Sequence, residues 1–209
     1  MWAQIDAERA AFADLADSLT PEQWDAPSLC TEWRVRDVVA HVTQGATIGL
    51  GESLRKMVRY GFRLDKLLTE EAKKGGAAPT DELRANLRAT IGARSKAPGV
   101  KPVGLLADEV VHQQDVRRAI GVPHAIPPVR VGITLHDLTT DGIALIPTKK
   151  WSKGLHLRAT DLDWETGPAD GAEVAGPAEA LMMALAGRPV ALAELSGPGV
   201  EQLRERISR

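Results

Sequence analysis

The chain has 209 residues, 44% hydrophobic and 26% charged, a globular composition sized for one large domain or two small ones. A net charge of −2 lacks the basic excess of a nucleic-acid binder, and a single cysteine, Cys30, excludes an internal disulfide and fits a reducing cytosol. The longest apolar run, ALMMALA at 180–186, is far short of the ~20 residues of a membrane span, and the N-terminus is acidic and amphipathic, so a cytoplasmic, soluble protein with no membrane partner is expected.

Ile5, Phe12, Leu15 and Leu19 recur at helical spacing, and Thr20-Pro21 ends that segment. A second helix begins near Val35, with Val35, Val38, Val39 and Val42 as its apolar stripe. It runs past Gly45 towards Tyr60, with GFR at 61–63 as an interruption. A third covers roughly 79–94, with Thr80 as N-cap and Leu83, Leu87 and Ile91 as its buried row. The fourth, LLADEVVHQQDVRRAIG at 105–121, ends at Gly121 with Pro123 beyond. Four such helices joined by modest loops predict an antiparallel four-helix bundle.

Beyond 122 the composition shifts. GVPHAIPPVRVG reads as a loop with three prolines, VGITLHDLTTDGIALI as a further helix, and PTKKWSKG at 147–154 as a linker. Leu155, Leu157 and Ala159 alternate with His156, Arg158 and Thr160, the period of a strand. EVAGPAEALMMALAGRP predicts a short strand, then a helix with Pro177 near its start and Gly187 at its end, and VEQLRERI predicts a closing helix. The expected fold is mainly α with a small α/β part: a helical bundle domain over 1–147 and a small α/β domain over 148–209.

The fourth helix carries its polar residues in an unexpected place. At 100° per residue, Asp108 lies about 40° and Asp115 about 60° from His112, on the same side. Leu105, Val116 and Ala119 fall within about 40° of His112, so the polar trio is embedded in a face that should be buried. Unpaired carboxylates and imidazoles there cost several kcal/mol or a large pKa shift. One answer is a metal: Asp108 and His112, at i and i+4, can converge on one ion, with His41 on the second helix as the best third ligand and Gly45 allowing a close approach. The other answer is a plain Asp–His salt bridge, with Glu109 a competing partner for His112.

SLCTEWRVRDVVAHVTQG at 28–45 resembles the first signature of the DinB-like, mycothiol-dependent maleylpyruvate isomerase family: a Cys-containing turn, a Trp, VRD and an AH a turn later. DEVVHQQDVRRAIG resembles the second signature, and ATDLDWETG and GPAEALMMALAGRP resemble the family's C-terminal domain, so the likeness covers most of the chain. It implies a DinB-like metal-binding four-helix bundle with His41, Asp108 and His112 as ligands, Asp108 standing where the isomerase itself carries Glu. The implied cofactors are a divalent metal, zinc first with nickel, iron or manganese as alternatives, and mycothiol.

Three protein ligands leave an open coordination position, the mark of a catalytic site, and a metal-bound thiol is deprotonated at neutral pH. The expected function is a metal-dependent, low-molecular-weight-thiol transferase or isomerase acting on an electrophilic small molecule, as a monomer or homodimer. The alternative is a non-catalytic metal- or small-ligand-binding module, because fold does not fix function. Arg188 stands at a motif position the resemblance marks as functional, as a clamp on a substrate carboxylate; its other reading is a cation at a helix C-terminus. Asp115 is either a group behind His112 or an ion-pair partner. Cys30 reads as a small buried hydrophobe, Trp33 as a loop anchor, and the row Arg55, Arg59, Arg63, Lys66 as a solvated helix face. His124, His136 and His156 show no ligand spacing.

Overall fold

The computed structural model describes residues 1–96, 99–122, 126–140, 142 and 147–208. His124 and Pro123 lie outside them, as do 141 and 143–146 of the segment expected to be helical. Two compact units divide the chain, Met1–His124 and Ala125–Arg209. The sequence-based expectation had put the boundary at 147/148.

The first unit opens with α1 (Trp2–Ser18) and the short α2 (Pro21–Asp25). Thr20 does more than end α1: its hydroxyl accepts from Gln23 N while the Gln23 side chain accepts from Thr20 N, a capping box that starts α2 at Pro21. α3 (Val35–Thr47) begins where the Asp37 carboxylate accepts from the backbone N–H of Arg34, and it stops at Ile48 rather than running on to Tyr60. The chain resumes as α4 (Leu50–Arg59), α5 (Leu64–Gly76), α6 (Thr80–Ala89) and α7 (Pro102–Ala119). The interruption expected at 61–63 is present: Gly61 and Phe62 both take left-handed backbone angles, φ 61° and 60°, which no helix continues through. Pro79, not Thr80, holds the N-cap position of α6, and Gly121 follows the C-cap of α7 as expected.

α1, α6, α3 and α7 pack in a ring, each against the next, and form the four-helix bundle expected from sequence. Phe12, Trp24, Val35, Val38, Val39, Val42, Leu87 and Val116 fill the core. α5, absent from the sequence-based expectation, lies along the outside of α3. Glycines make that approach close: a Cβ on Gly76 would stand 2.1 Å from Asp37 Oδ1, and one on Gly75 would stand 3.0 Å from the Ala40 methyl. Gly45, expected to admit a neighbour, has nothing within 4 Å of where its Cβ would be.

The second unit runs α8 (Pro128–Thr140), α9 (Thr148–Ser152), β1 (Leu155–Ala159), β2 (Glu165–Thr166), β3 (Ala172–Gly176), α10 (Ala178–Leu185), a 3-10 turn (Pro189–Glu194) and α11 (Val200–Ile207). The stretch expected as a linker holds α9, and the expected proline loop gives way to helix at Pro128. β1 is the central strand, antiparallel to β2 and parallel to β3. Leu155 and Leu157 point inward as the alternation predicts, and the apolar α10 covers the sheet and packs against α8. That packing is why α8 belongs with the C-terminal unit and the boundary falls near 125. Among the described residues no helix is long and apolar enough to cross a membrane.

Candidate metal centre

α3 and α7 are neighbours in the bundle ring, and the polar residues singled out from sequence meet between them. On α3 the valine stripe turns into the core and carries His41 on its edge towards α7. On α7, Asp108 and His112 sit one turn apart. Asp108 Oδ1 lies 3.7 Å from His41 Nε2 and 3.4 Å from His112 Nε2. The two imidazole rings stand edge to face, 4.8 Å between centroids.

The donor set fits a divalent metal. Zinc–nitrogen and zinc–oxygen bonds of about 2.0–2.2 Å put neighbouring tetrahedral ligand atoms about 3.3–3.6 Å apart. The 3.4 Å from Asp108 Oδ1 to His112 Nε2 falls at that spacing, the 3.7 Å to His41 Nε2 lies just beyond it, and the three ligand atoms all lie within 4.8 Å of one another. Both side chains of the imidazole pair are 12% exposed and that of Asp108 is 31% exposed, so the cluster is shielded yet reachable.

The electrostatics point the same way. Burial favours the neutral form of Asp108, but the imidazoles, His112 before His41, outweigh it and hold the carboxyl well below the usual carboxylate range. Burial works against a charged His112, yet Cys30, Asp108 and the hydrogen bonds to Asp108 and Asp115 outweigh it and hold the ring well above its ordinary value. The cluster therefore attracts positive charge.

Asp115 is fully buried behind His112, its Oδ2 3.0 Å from His112 Nδ1. A carboxylate on Nδ1 keeps a proton there, so that a cation displacing the other ring proton would meet the Nε2 lone pair facing Asp108 and His41; such a carboxylate is the usual outer partner of a metal-bound histidine. The contact is compatible with both of its sequence readings, a group behind His112 and an ion-pair partner. Glu109 does not compete for His112: it turns to the opposite face and accepts from Arg9 Nε at 2.8 Å.

Two residues do more than their sequence readings. Cys30 packs against the bundle core as expected, and it is also a polar neighbour: its Sγ donates to Asp115 Oδ2 at 2.9 Å and lies 3.5 Å from His112 Nδ1. Trp33 anchors its loop, 9% exposed, but its ring also walls the cluster, 4.8 Å from the His41 ring and 5.8 Å from that of His112. Contacts across some 80 residues leave no trace in helical spacing; the only sequence signal was that both residues belong to the Cys-turn-Trp signature.

Arg188 belongs to the second unit. Its Nη1 donates to the carbonyl of Ala186 at the end of α10, in keeping with the reading as a C-terminal cation. His136 is exposed on α8, and His156 faces Glu165 at 3.7 Å. Arg55, Arg59, Arg63 and Lys66 are exposed, as a solvated face requires.

A family model described as the mycothiol maleylpyruvate isomerase N-terminal domain matches residues 5–125. Among solved structures, the chain is similar to the mycothiol-dependent maleylpyruvate isomerase, at 15% identity and a TM-score of 0.56 over 94% of this chain and 91% of that one. It is similar also to a histidine-to-alanine mutant of that isomerase, at 14% identity and a TM-score of 0.57 over the same shares. At such identities the likeness speaks for the fold. No curated protein matches the sequence. The match spans more than half the chain and contains the whole His41, Asp108, His112 cluster, and the chain thus belongs to the mycothiol maleylpyruvate isomerase N-terminal domain family, a family of enzymes.

Proposed function

We propose that the chain is a metal-dependent enzyme that uses a low-molecular-weight thiol, mycothiol by family, to isomerise or S-conjugate an electrophilic small molecule. One observation carries the reading: His41 Nε2, Asp108 Oδ1 and His112 Nε2 converge from two helices while Asp115 holds the far side of the His112 ring. A divalent metal held by these three, zinc foremost and nickel, iron or manganese as alternatives, would supply the Lewis acidity that keeps a thiol deprotonated at neutral pH.

The chain's own groups do the rest. Asp115 keeps a His112 proton on Nδ1, so that Nε2 is the nitrogen that would give up its proton to serve as a ligand atom. The Trp33 ring covers one side of both imidazoles and limits the water that reaches them. Three protein ligands leave a side open for sulfur. Arg188 belongs to the same proposal as the clamp on a substrate carboxylate, where replacement by Ala would raise KM more than it lowers kcat. A reduced thiol pool is a cytoplasmic condition, so the enzyme works there.

The test is metal analysis of the purified protein, then consumption of a panel of electrophiles with and without mycothiol. About one metal per chain, lost in His41→Ala, and turnover that needs the thiol are expected. Metal without turnover on any thiol would favour a binding module, and metal retained in full by His41→Ala would overturn the ligand set.

A further inference from the structure

Cys30 lies in the Ser28–Trp33 turn ahead of α3, and that turn is stitched to α7 at Asp115. Leu29 N donates to the Asp115 carbonyl at 3.2 Å, and the Cys30 thiol donates to Asp115 Oδ2 at 2.9 Å. The turn is itself stiff. Ser28 Oγ accepts from Cys30 N at 3.1 Å and donates to Trp33 O at 2.9 Å, and Trp33 N donates to Cys30 O at 3.0 Å.

Two donors thus meet on one buried carboxylate oxygen, the Cys30 thiol and the Nδ1–H of His112 at 3.0 Å. A carboxylate oxygen has two acceptor directions, and filling one with a fixed donor sets the rotation that offers the other to the ring. We infer that Cys30 is a positioning residue: its thiol hydrogen bond fixes Asp115, and Asp115 fixes His112 with Nε2 turned towards His41 and Asp108. The inference rests on the metal reading of that cluster and adds a third link to it. A sulfur present only for packing would need neither a proton nor a direction.

Cys30→Ser keeps the donor and loses the bulk; Cys30→Val keeps the bulk and loses the donor. Two measurements separate them. The first is the low-field Nδ1–H signal of His112 in the metal-free protein, by proton–nitrogen NMR. The second is Co(II) affinity by titration, with the visible absorption of the bound ion. Cys30→Ser should retain the Nδ1–H signal and bind Co(II) within about threefold of the parent, whereas Cys30→Val should broaden or lose the signal and bind about tenfold more weakly. Valine matching the parent while serine fails would make Cys30 a packing group and overturn the inference. Two variants indistinguishable from the parent, or equally weakened, would overturn it as well. If the parent takes up no Co(II) yet the Nδ1–H signal still follows the serine–valine order, the metal reading falls and the positioning role of Cys30 stands.

Discussion

α7 buries carboxylates on two faces, and the faces solve the same problem in opposite ways. Towards α1, Glu109 accepts from Arg9, whose guanidinium also donates to the carbonyls of Thr90 and Ala93, while Gln113 donates to Glu8 and accepts from Arg117. On that face Glu109 meets a cation and Glu8 a donor of the chain itself, although Arg9 Nη2 and Glu109 Oε2 have no hydrogen-bond partner among the described residues. Towards α3, Asp108 meets two imidazole nitrogens, and their donor atoms converge at a spacing that one cation can share. Buried polarity alone therefore does not mark a site; shielded groups whose donor atoms converge at ligand spacing do.

The closed face should carry more of the stability than the open face. Arg9→Met removes the counter-charge and leaves two carbonyls without their donor. Breaking a buried pair costs about 3–5 kcal/mol, and the low end, about 3, is expected. Burial first, and then the carboxylates of Asp108 and Glu8, push the Glu109 carboxyl up to about 8 against the pull of Arg9. Keeping its proton meets part of the loss. Asp108→Ala in the metal-free protein removes the carboxylate that the imidazoles hold down and should cost about 1–2 kcal/mol, less than Arg9→Met. Urea unfolding of both variants checks the contrast, and equal losses would erase it.

The open face should carry the metal. His41→Ala should leave the helical circular dichroism unchanged and weaken zinc binding by more than about 100-fold, beyond what the loss of an outer partner costs. Asp115→Asn is the finer probe. Its amide can turn an N–H towards Nδ1, which drives the ring proton to Nε2 and blocks the donor atom. A loss of about 10- to 100-fold in zinc affinity by chelator competition is expected. Unchanged affinity would show that Asp115 does not set the ring.

The same contrast explains what could be read from sequence. The four bundle helices were legible because each buries a stripe at helical spacing, and His112 with Asp108 stood out because they interrupt one. α5 was not, because only Leu67, Glu71, Ala72 and Gly76 of its 13 residues are buried, too few to trace a stripe. α9 was missed because its lysines read as a linker while its buried residue is Thr148, a polar type that marks no core face. The division near 125 left no mark in composition, because PTKKWSKG has a linker's composition whereas the burial of α8 against α10 is a matter of packing. Cys30 and Asp115 lie 85 positions apart, and no local pattern reports that they touch.

The smallest effect tests whether a closed cluster near the surface behaves like the one around Arg9. Lys56 on α4 reaches Glu71 on α5 at 2.7 Å and Glu52 at 3.0 Å, while Tyr60 OH donates to Glu71 at 3.0 Å and Gln44 of α3 donates to the Glu71 carbonyl at 3.0 Å. Burial would raise the Glu71 carboxyl, but the bonds from Lys56 and Tyr60 outweigh it and hold it below its ordinary value of 4.5. A depressed carboxyl stabilises the fold above its unfolded pKa, and that contribution is lost as pH falls through the lower folded value. Glu71→Gln should therefore cost about 1 kcal/mol near pH 7, the scale of a partly exposed pair, and the gap to the parent should close as pH drops below 4.5. Urea midpoints across that range decide it. A gap that stays constant would mean that Glu71 acts through the shape and neutral hydrogen bonds of its side chain and not through its charge. A gap that widens in acid would put the shift in the opposite direction and take the Lys56 cluster out of the class of charges answered from within the chain.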